Sequence, residues 1–297
     1  MEEELETKEC EQPDNLLSDL IEIIHFTESV STKIHGLRDE AEIYRTVIEE
    51  FSNSKRYNAS IFLLTDDGSK LRFAETSLAL EKVRTGEKVA GLRSYKSFMI
   101  DLNKSGFLSK VVREEKTIEA RFIDVADEVF PRSLAYLITK IIGFEKRFGI
   151  LTPLKRYGKV IGVLVVDSPE LADYFLPSVK NLAQHISIAL ELTAEQTERK
   201  RMEETLGKSE EKFRSIFESA GDAMIFMDGS GRVLDVNRKA VEVFGGSREE
   251  VLGKHFTRVG VISIKDIPRV VSAFAQGLAD KKTALNISIE NMPLEKI

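Results

Sequence analysis

Apolar residues along the chain first recur at helical spacing. Leu16, Leu17, Leu20, Ile23, Ile24 and Val30 predict a helix over about 16–34, and Ile43, Val47, Ile48 and Phe51 predict a second over Glu40–Phe51. Then the period shortens. Ala59–Leu64 and Leu71–Thr76 read as the two strands of a hairpin, joined by the polar turn Thr65–Lys70, where Gly68 supplies permissive backbone. Residues 77–105 mix both periods and predict no single element. Phe107, Leu108, Val111 and Val112 predict a short helix over Phe107–Glu115, and Leu134, Leu137, Ile138, Ile141 and Ile142 form the stripe of another over Pro131–Phe144. The strongest strand signals follow, Gly149–Leu154 and Val160–Asp167, separated by the polar turn Lys155–Lys159. The second of these is apolar at nearly every position, so it belongs at the centre of a sheet with both faces covered.

A long helix begins near Leu176, with Val179, Leu182, Ala183, Ile186 and Leu190 forming a stripe suited to packing on that sheet. After Leu192 the composition turns charged and rich in helix formers. Ile188, Leu192, Glu195, Arg199, Met202, Leu206, Ser209, Phe213 and Ile216 alternate in steps of four and three, which is the spacing of a coiled-coil seam. Glu195, Arg199 and Ser209 make that seam partly polar. Glu195–Arg199 and Glu204–Lys208 add support along the helix worth tenths of a kcal/mol each. Gly207 works against one unbroken rod, because an interior glycine costs about 1 kcal/mol relative to alanine. The alternative to pairing is a solitary exposed helix.

Beyond it, the pattern predicts a helix over Glu210–Ser219, a strand over Ala223–Met227, the turn Asp228–Gly231 and a strand over Arg232–Val236. Asn237 is placed to cap the helix Arg238–Phe244, which Gly245-Gly246 ends. Ser247 followed by Glu250 is a capping-box pair. A helix over about Ile267–Leu278 comes next. Leu285, Ile287 and Ile289 then alternate with polar residues over Thr283–Glu290, the mark of a half-buried antiparallel strand.

Composition narrows the function classes. The 297 residues suffice for about two domains, and 42% hydrophobic with 31% charged residues is ordinary for a globular chain. The net charge of −6, without a Lys/Arg cluster, argues against a nucleic-acid binder. No apolar run approaches the ~20 residues of a bilayer span, and the acidic start lacks the pattern of a secretory signal, so the expected location is the cytoplasm with no membrane partner. The single cysteine, Cys10, lies in the acidic leader and excludes an internal disulfide or a thiolate metal cluster.

Two family resemblances organise these segments. SEEKFRSIFESAGDAMIFMDGSGRVLDVNRKAVEVFGGSREEVLGKHF (Ser209–Phe256) strongly resembles a PAS domain of the sensory-box type: entry helix, Gly-Asp before a strand, the DGSG hairpin, the asparagine opening the next helix and the S-x-E-E-x-x-G-K segment. That resemblance implies an antiparallel sheet with short helices over one face and a small pocket. Ile225, Val236, Phe244, Phe256 and Phe274 are its candidate lining, each equally suited to plain core packing. Fewer strands than the family's sheet precede Ile297, so the domain reads as carboxy-terminally truncated, with an unpaired edge. The stretch from about Ser18 to Leu192 resembles a GAF domain, on GILTPLKRYGKVIGVLVVDSP (Gly149–Pro169) and the final helix NLAQHISIALEL (Asn181–Leu192). In that family, the stretches 77–105 and 117–148 build the ligand pocket. GAF, charged helix and PAS in this order is similar to the input half of archaeal and bacterial sensor histidine kinases.

Catalytic chemistry finds no footing in the sequence. The histidines are His25, His35, His185 and His255; His185 lies on a helix, but Ile186 follows it instead of the acidic residue of a phosphoacceptor site. Gly229-Ser-Gly231 is a hairpin turn and Gly245-Gly246 a helix stop, so neither is a phosphate loop. Covalent bilin and flavin–cysteinyl adducts need a cysteine within the domains. Haem is disfavoured because Ile267–Leu278 carries no histidine. Thiol chemistry of the methionine sulfoxide reductase kind needs two cysteines. The acidic pairs Asp66-Asp67, Glu114-Glu115 and Glu249-Glu250 read as solvated surface.

The expectation is therefore an α+β chain: an acidic disordered leader over 1–15, an antiparallel-sheet GAF-like domain over 16–192, a helical, coiled-coil-like connector over 193–208 and an incomplete PAS-like domain over 209–297. Its expected role is a non-catalytic signal-transduction input module that binds a small ligand or partner. It would pair as a homodimer through Ile188, Leu192, Met202, Leu206 and Phe213 and relay to a downstream or separate histidine kinase or regulator. A ligand-free interaction scaffold, and the amino-terminal part of a longer sensor kinase, are the alternatives.

Overall fold

The computed structural model describes residues 13–54, 56–143, 147–168, 175–260, 265 and 267–279. They divide into two compact units, Met1–Lys200 and Arg201–Ile297. The predicted strand over Thr283–Glu290 and the leader over 1–12 lie outside the described residues.

The first unit opens with helices α1 (Pro13–Ile34) and α2 (Glu40–Ser54), followed by the hairpin β1 (Asn58–Leu64) and β2 (Lys70–Thr76). Helix α3 (Leu80–Ala90), a 3-10 turn (Tyr95–Ser97) and the short strand β3 (Met99–Asp101) fill the stretch that the sequence left unassigned. Helix α4 (Gly106–Arg113), strand β4 (Ile118–Arg121), helices α5 (Phe122–Val129) and α6 (Arg132–Ile142), and strands β5 (Phe148–Arg156) and β6 (Lys159–Ser168) complete it, before α7 (Leu176–Ser219) begins.

The strands form a six-stranded sheet in the order β3-β2-β1-β6-β5-β4, with antiparallel pairing throughout. Strand β6 lies between β1 and β5, the central place its apolar run predicts. Its side chains alternate between two cores. Leu164 and Val166 enter a core with Ile23 and Val30 of α1, Ile43 and Val47 of α2, and Leu182, Ile186 and Leu190 of α7. Val163 and Val165 point the other way, into a core with Leu108 and Val111 of α4 and with Phe122, Val125 and Val129 of α5. Each fully buried side chain of this kind stabilises the fold by about 1.5–3 kcal/mol, so β6 is worth most when both layers are in place.

Between β1 and β6 the backbones approach too closely for a side chain at Gly162. A Cβ there would sit 2.3 Å from the carbonyl oxygen of Phe62, a backbone atom that cannot swing aside. Gly162 pairs with Leu63 on one side and with Leu154 on the other, so relieving the clash requires a shift of strand backbone.

The second unit holds the end of α7, the hairpin β7 (Ile225–Met227) and β8 (Val233–Val236), helix α8 (Arg238–Phe244), the helical turn α9 (Arg248–Val251) and α10 (Ile267–Ala279). Its core gathers Val233, Val236, Ala240 and Val251, with Met227, Val241, Phe244 and Val259 packed around them. In the β7–β8 turn, Gly231 adopts φ +79° and lies against the rings of His255 and Phe256, where a Cβ would come within 2.8 Å of both.

Asn237 holds this unit to the end of α7. It is fully buried, and its amide makes all the hydrogen bonds an amide can make. Oδ1 accepts from the backbone N–H of Met224 (2.8 Å) and of Ala240 (2.9 Å), while Nδ2 donates to the carbonyls of Phe217 (3.0 Å) and Asp222 (2.9 Å). One side chain thus caps α8, starts β7 and grips the last turn of α7. Helix α7 itself runs without a break through Gly207. The sequence treats 193–208 and 210–219 as separate helices, but the helix formers around Gly207 outweigh its cost of about 1 kcal/mol.

Gly162→Ala is expected to destabilise the first unit by about 3 kcal/mol or more. Gly207→Ala, where no atom lies within 4 Å of the added carbon, is expected to leave stability unchanged or raise it by up to about 1 kcal/mol. Urea denaturation of the two variants against the parent chain checks both.

Candidate ligand cavity

One face of the sheet in the first unit does not meet its helices everywhere. The pairings Thr76–Ser60, Ser60–Val165 and Val165–Leu151 lay a row of side chains across β2, β1, β6 and β5. Beside it stand Phe62 and Phe73, cross-strand partners whose rings are 4.3 Å apart. Above this floor lies a cavity of about 190 Å³.

Its roof is made of two helices that each present positions i, i+3, i+4 and i+7. These are Val83, Gly86, Glu87 and Ala90 from α3, and Phe122, Val125, Ala126 and Val129 from α5. Ile138 and Thr139 of α6 and Leu108 of α4 close the ends. Neither α3 nor α5 contains a fully buried residue, so both cover the cavity as half-exposed lids.

Aromatic contacts tie the lids down. Tyr95 packs edge-on against Phe73 at 5.1 Å, extending the Phe62–Phe73 pair toward the rim. Phe98, just before β3, stacks on Phe130, between α5 and α6, at 5.0 Å with the rings 12° from parallel. The carboxylate of Glu128 accepts from the Ser105 hydroxyl and from the Phe107 backbone N–H, both at 3.0 Å, which joins α5 to the amino-terminal end of α4.

The polar groups on the wall are already engaged. The Ser60 and Thr76 hydroxyls bond to each other at 2.9 Å. Thr139 Oγ1 donates to the carbonyls of Ala135 (2.9 Å) and Tyr136 (3.0 Å). Glu87 Oε1 accepts from the Tyr95 backbone N–H at 2.8 Å. Burial pushes the Tyr95 phenol above its ordinary pKa, with the Lys96 ammonium pulling the other way.

One pair further along the same sheet face lies a buried carboxylate, Asp167. It accepts from Arg147 Nη1 at 2.8 Å and from Asn58 Nδ2 at 3.0 Å. Burial pushes its pKa up, while Asn58 and Arg147 draw it back down. It spans β1, β6 and the start of β5 as a structural tie.

The GAF resemblance implies a ligand pocket built from 77–105 and 117–148; this cavity is lined by Val83, Glu87, Tyr95 and Phe98 from the first stretch and by Phe122, Val125, Ala126, Val129, Phe130, Ile138 and Thr139 from the second. The resemblance names none of those residues. The spacing of Phe122, Val125, Ala126 and Val129 was available as a signal; the α3 stripe was not, because Gly86 and Glu87 break its apolar character.

The residues proposed for a pocket in the second unit are placed as follows. Val236 is buried in that unit's core and Phe244 packs against it. Ile225 is the cross-strand partner of Val236 but is 37% exposed. Phe256 is buried beside His255, its ring centroid 4.6 Å away. Phe274 lies on α10, and its side chain is outside the described residues. Among the described residues no cluster of His, Cys, Asp and Glu is placed to hold a metal ion, and no helix is long and apolar enough to cross a membrane.

Residues 211–289 match the family model of the PAS fold. A curated relative, Sporulation kinase E of Bacillus subtilis (strain 168), is 33% identical over 93 residues, which make up 31% of this chain and 12% of that protein. Several of the solved structures similar to this chain are GAF domains. One, a GAF domain from A. Aeolicus in an inactive state, shares 16% identity over 58% of this chain and 97% of its own, with a TM-score of 0.42. A further similar structure, the free methionine-R-sulfoxide reductase of Neisseria meningitidis in complex with its substrate, shares 13% identity over 60% of this chain and 93% of its own, with a TM-score of 0.44.

Phe98→Ala and Phe130→Ala are expected each to destabilise the first unit, with a coupling between them of about 0.5–1.5 kcal/mol in a double-mutant cycle. A coupling of zero would remove the stacked pair as a tie between the lids.

Proposed function

We propose that this chain is a signal input module in which a small molecule held by the first unit changes the state of α7 and, through it, of whatever α7 drives. The observation that carries this reading is the two-sided use of β5 and β6. Leu151 and Val165 form the cavity floor, while Ile150, Leu164 and Val166, their immediate neighbours, pack in the same core as Leu182, Ile186 and Leu190 of α7. Cavity occupancy and the seating of α7 are separated by the thickness of one strand pair. A ligand that favours one packing of the floor therefore biases the helix behind it.

The relay is a homodimer of α7. From Glu195 to Ile216 every side chain of this helix is exposed. Met202 is 60% exposed and Leu206 70%, and with Ile188, Leu192 and Phe213 they fall on the seam spaced in fours and threes. A helix solvated all round is marginal by itself, and pairing along such a seam gives it the packing it lacks. The polar positions Glu195, Arg199 and Ser209 keep the pairing weak enough to be switched. The output is a kinase or regulator, supported by the kinase relative and by the PAS match of the second unit. The module is non-catalytic in this reading, and the single cysteine in the leader supports that for thiol chemistry.

Analytical ultracentrifugation tests the relay. The full chain is expected to sediment as a dimer at tens of micromolar, and Met202→Glu with Leu206→Glu as a folded monomer with a lower melting temperature, because α7 loses the support of pairing. A parent chain that stays monomeric at high concentration contradicts the dimeric relay.

A further inference from the structure

We infer that the cavity of the first unit selects an uncharged, apolar, ring-bearing molecule of about one to two rings, and rejects carboxylates, phosphates and nucleotides. This inference rests on the proposal that the cavity is the sensing site and adds its ligand class.

Size sets the first limit. A cavity of about 150 Å³ in another protein accommodates benzene, so a volume of about 190 Å³ suits a monocyclic or small bicyclic compound and not a nucleotide. Shape sets the second. The floor, roof and rim include Phe62, Phe73, Tyr95, Phe98, Phe122 and Phe130, whose faces and edges match a flat ring stacked or set edge-on among them.

Charge sets the third limit, and it is the most selective. Among the described residues that line the cavity none is Lys, Arg or His, so an anion entering it leaves water and gains no counter-charge. The acid on the wall, Glu87, would repel an anion. Three of the four hydroxyls on the wall are occupied: Ser60 and Thr76 by each other, with Thr76 also reaching the Ala59 carbonyl at 3.5 Å, and Thr139 by the backbone of its own helix; the fourth belongs to Tyr95 at the rim. Glu87 is held by the Tyr95 backbone N–H, which fixes its carboxylate as part of the lid structure. A ligand that needs hydrogen-bond donors finds the Ser60, Thr76 and Thr139 hydroxyls already donating or shared, with Tyr95 at the rim as the remaining one. A hydrocarbon or indole-like ring asks for none.

Isothermal titration calorimetry on the full chain tests the class, with indole and naphthalene as neutral probes and benzoate and benzylammonium as charged ones. The expected result is saturable binding of a neutral probe, at least ten-fold tighter than either ion, with a negative heat-capacity change. Two variants locate the site, Ala126→Phe from α5 and Ala90→Phe from α3, each adding a ring into the cavity from a half-exposed lid. Each is expected to weaken the neutral probe at least ten-fold while circular dichroism stays unchanged. Tighter binding of benzoate or benzylammonium, lost in both variants, overturns the ligand class and leaves the cavity as the sensing site. Absence of binding by every probe, or binding that both folded variants leave intact, overturns the cavity as a site and the ligand class with it.

Discussion

The structure of the first unit depends on one constraint: β6 is apolar on both faces, and both must be kept from water. A strand of this kind cannot sit at an edge or on a one-sided sheet, because either place would expose Val163 and Val165 or Leu164 and Val166. The fold meets the constraint with β1 and β5 as neighbours, α1, α2 and α7 over one face, and α4 and α5 over the other. The two covers differ in quality. The α1–α2–α7 layer is a packed core of large, fully buried side chains. On the opposite side α3 and α5 are only half-buried, and the space between them and the strands is the cavity. The sheet is thus a rigid partition between a solid layer and a hollow one.

In the proposed reading, that asymmetry is the physical route from a small molecule to a long helix. The hollow side can be filled or emptied at low cost, since its roof is held by a few aromatic contacts and the Glu128 carboxylate. The solid side is closely packed, so on the proposed relay a shift of the floor would be passed on to α7 instead of being absorbed. At the other end of α7, Asn237 binds the Phe217 carbonyl while capping α8 and starting β7. In the second unit a movement of the last turn of α7 must therefore break that four-bonded amide or carry the hairpin with it.

Much of this framework is legible in the sequence, for physical reasons specific to each element. The continuous apolar run of β6 predicts its central place, and the alternation around the Thr65–Lys70 turn predicts the β1–β2 hairpin, because burial on one or two faces writes itself directly into the residue pattern. Asn237 is legible as a cap from its position before Arg238–Phe244. Its grip on Phe217 and Asp222 is not, since those partners are set by the tertiary fold. The short strands β3 and β4 escape notice because they are edge strands whose side chains are partly exposed. The cavity escapes for a deeper reason. A hollow is the absence of packing, and Gly86, Glu87, Ala90 and Ala126, which create the space, look like unremarkable helix-surface residues. Candidate pocket residues in the second unit rest on apolar character alone, which does not distinguish a lining residue from core. Val236 and Phe244 belong to a packed cluster there.

Native-state hydrogen exchange on the full chain is the most direct measurement of the central claim, a rigid two-sided sheet beneath a soft roof. The account predicts that amides of β5 and β6 exchange only through global unfolding of the first unit, while those of α3 and α5 exchange on the order of 100-fold faster through local opening. Equal protection across α3, α5 and β6 would contradict it.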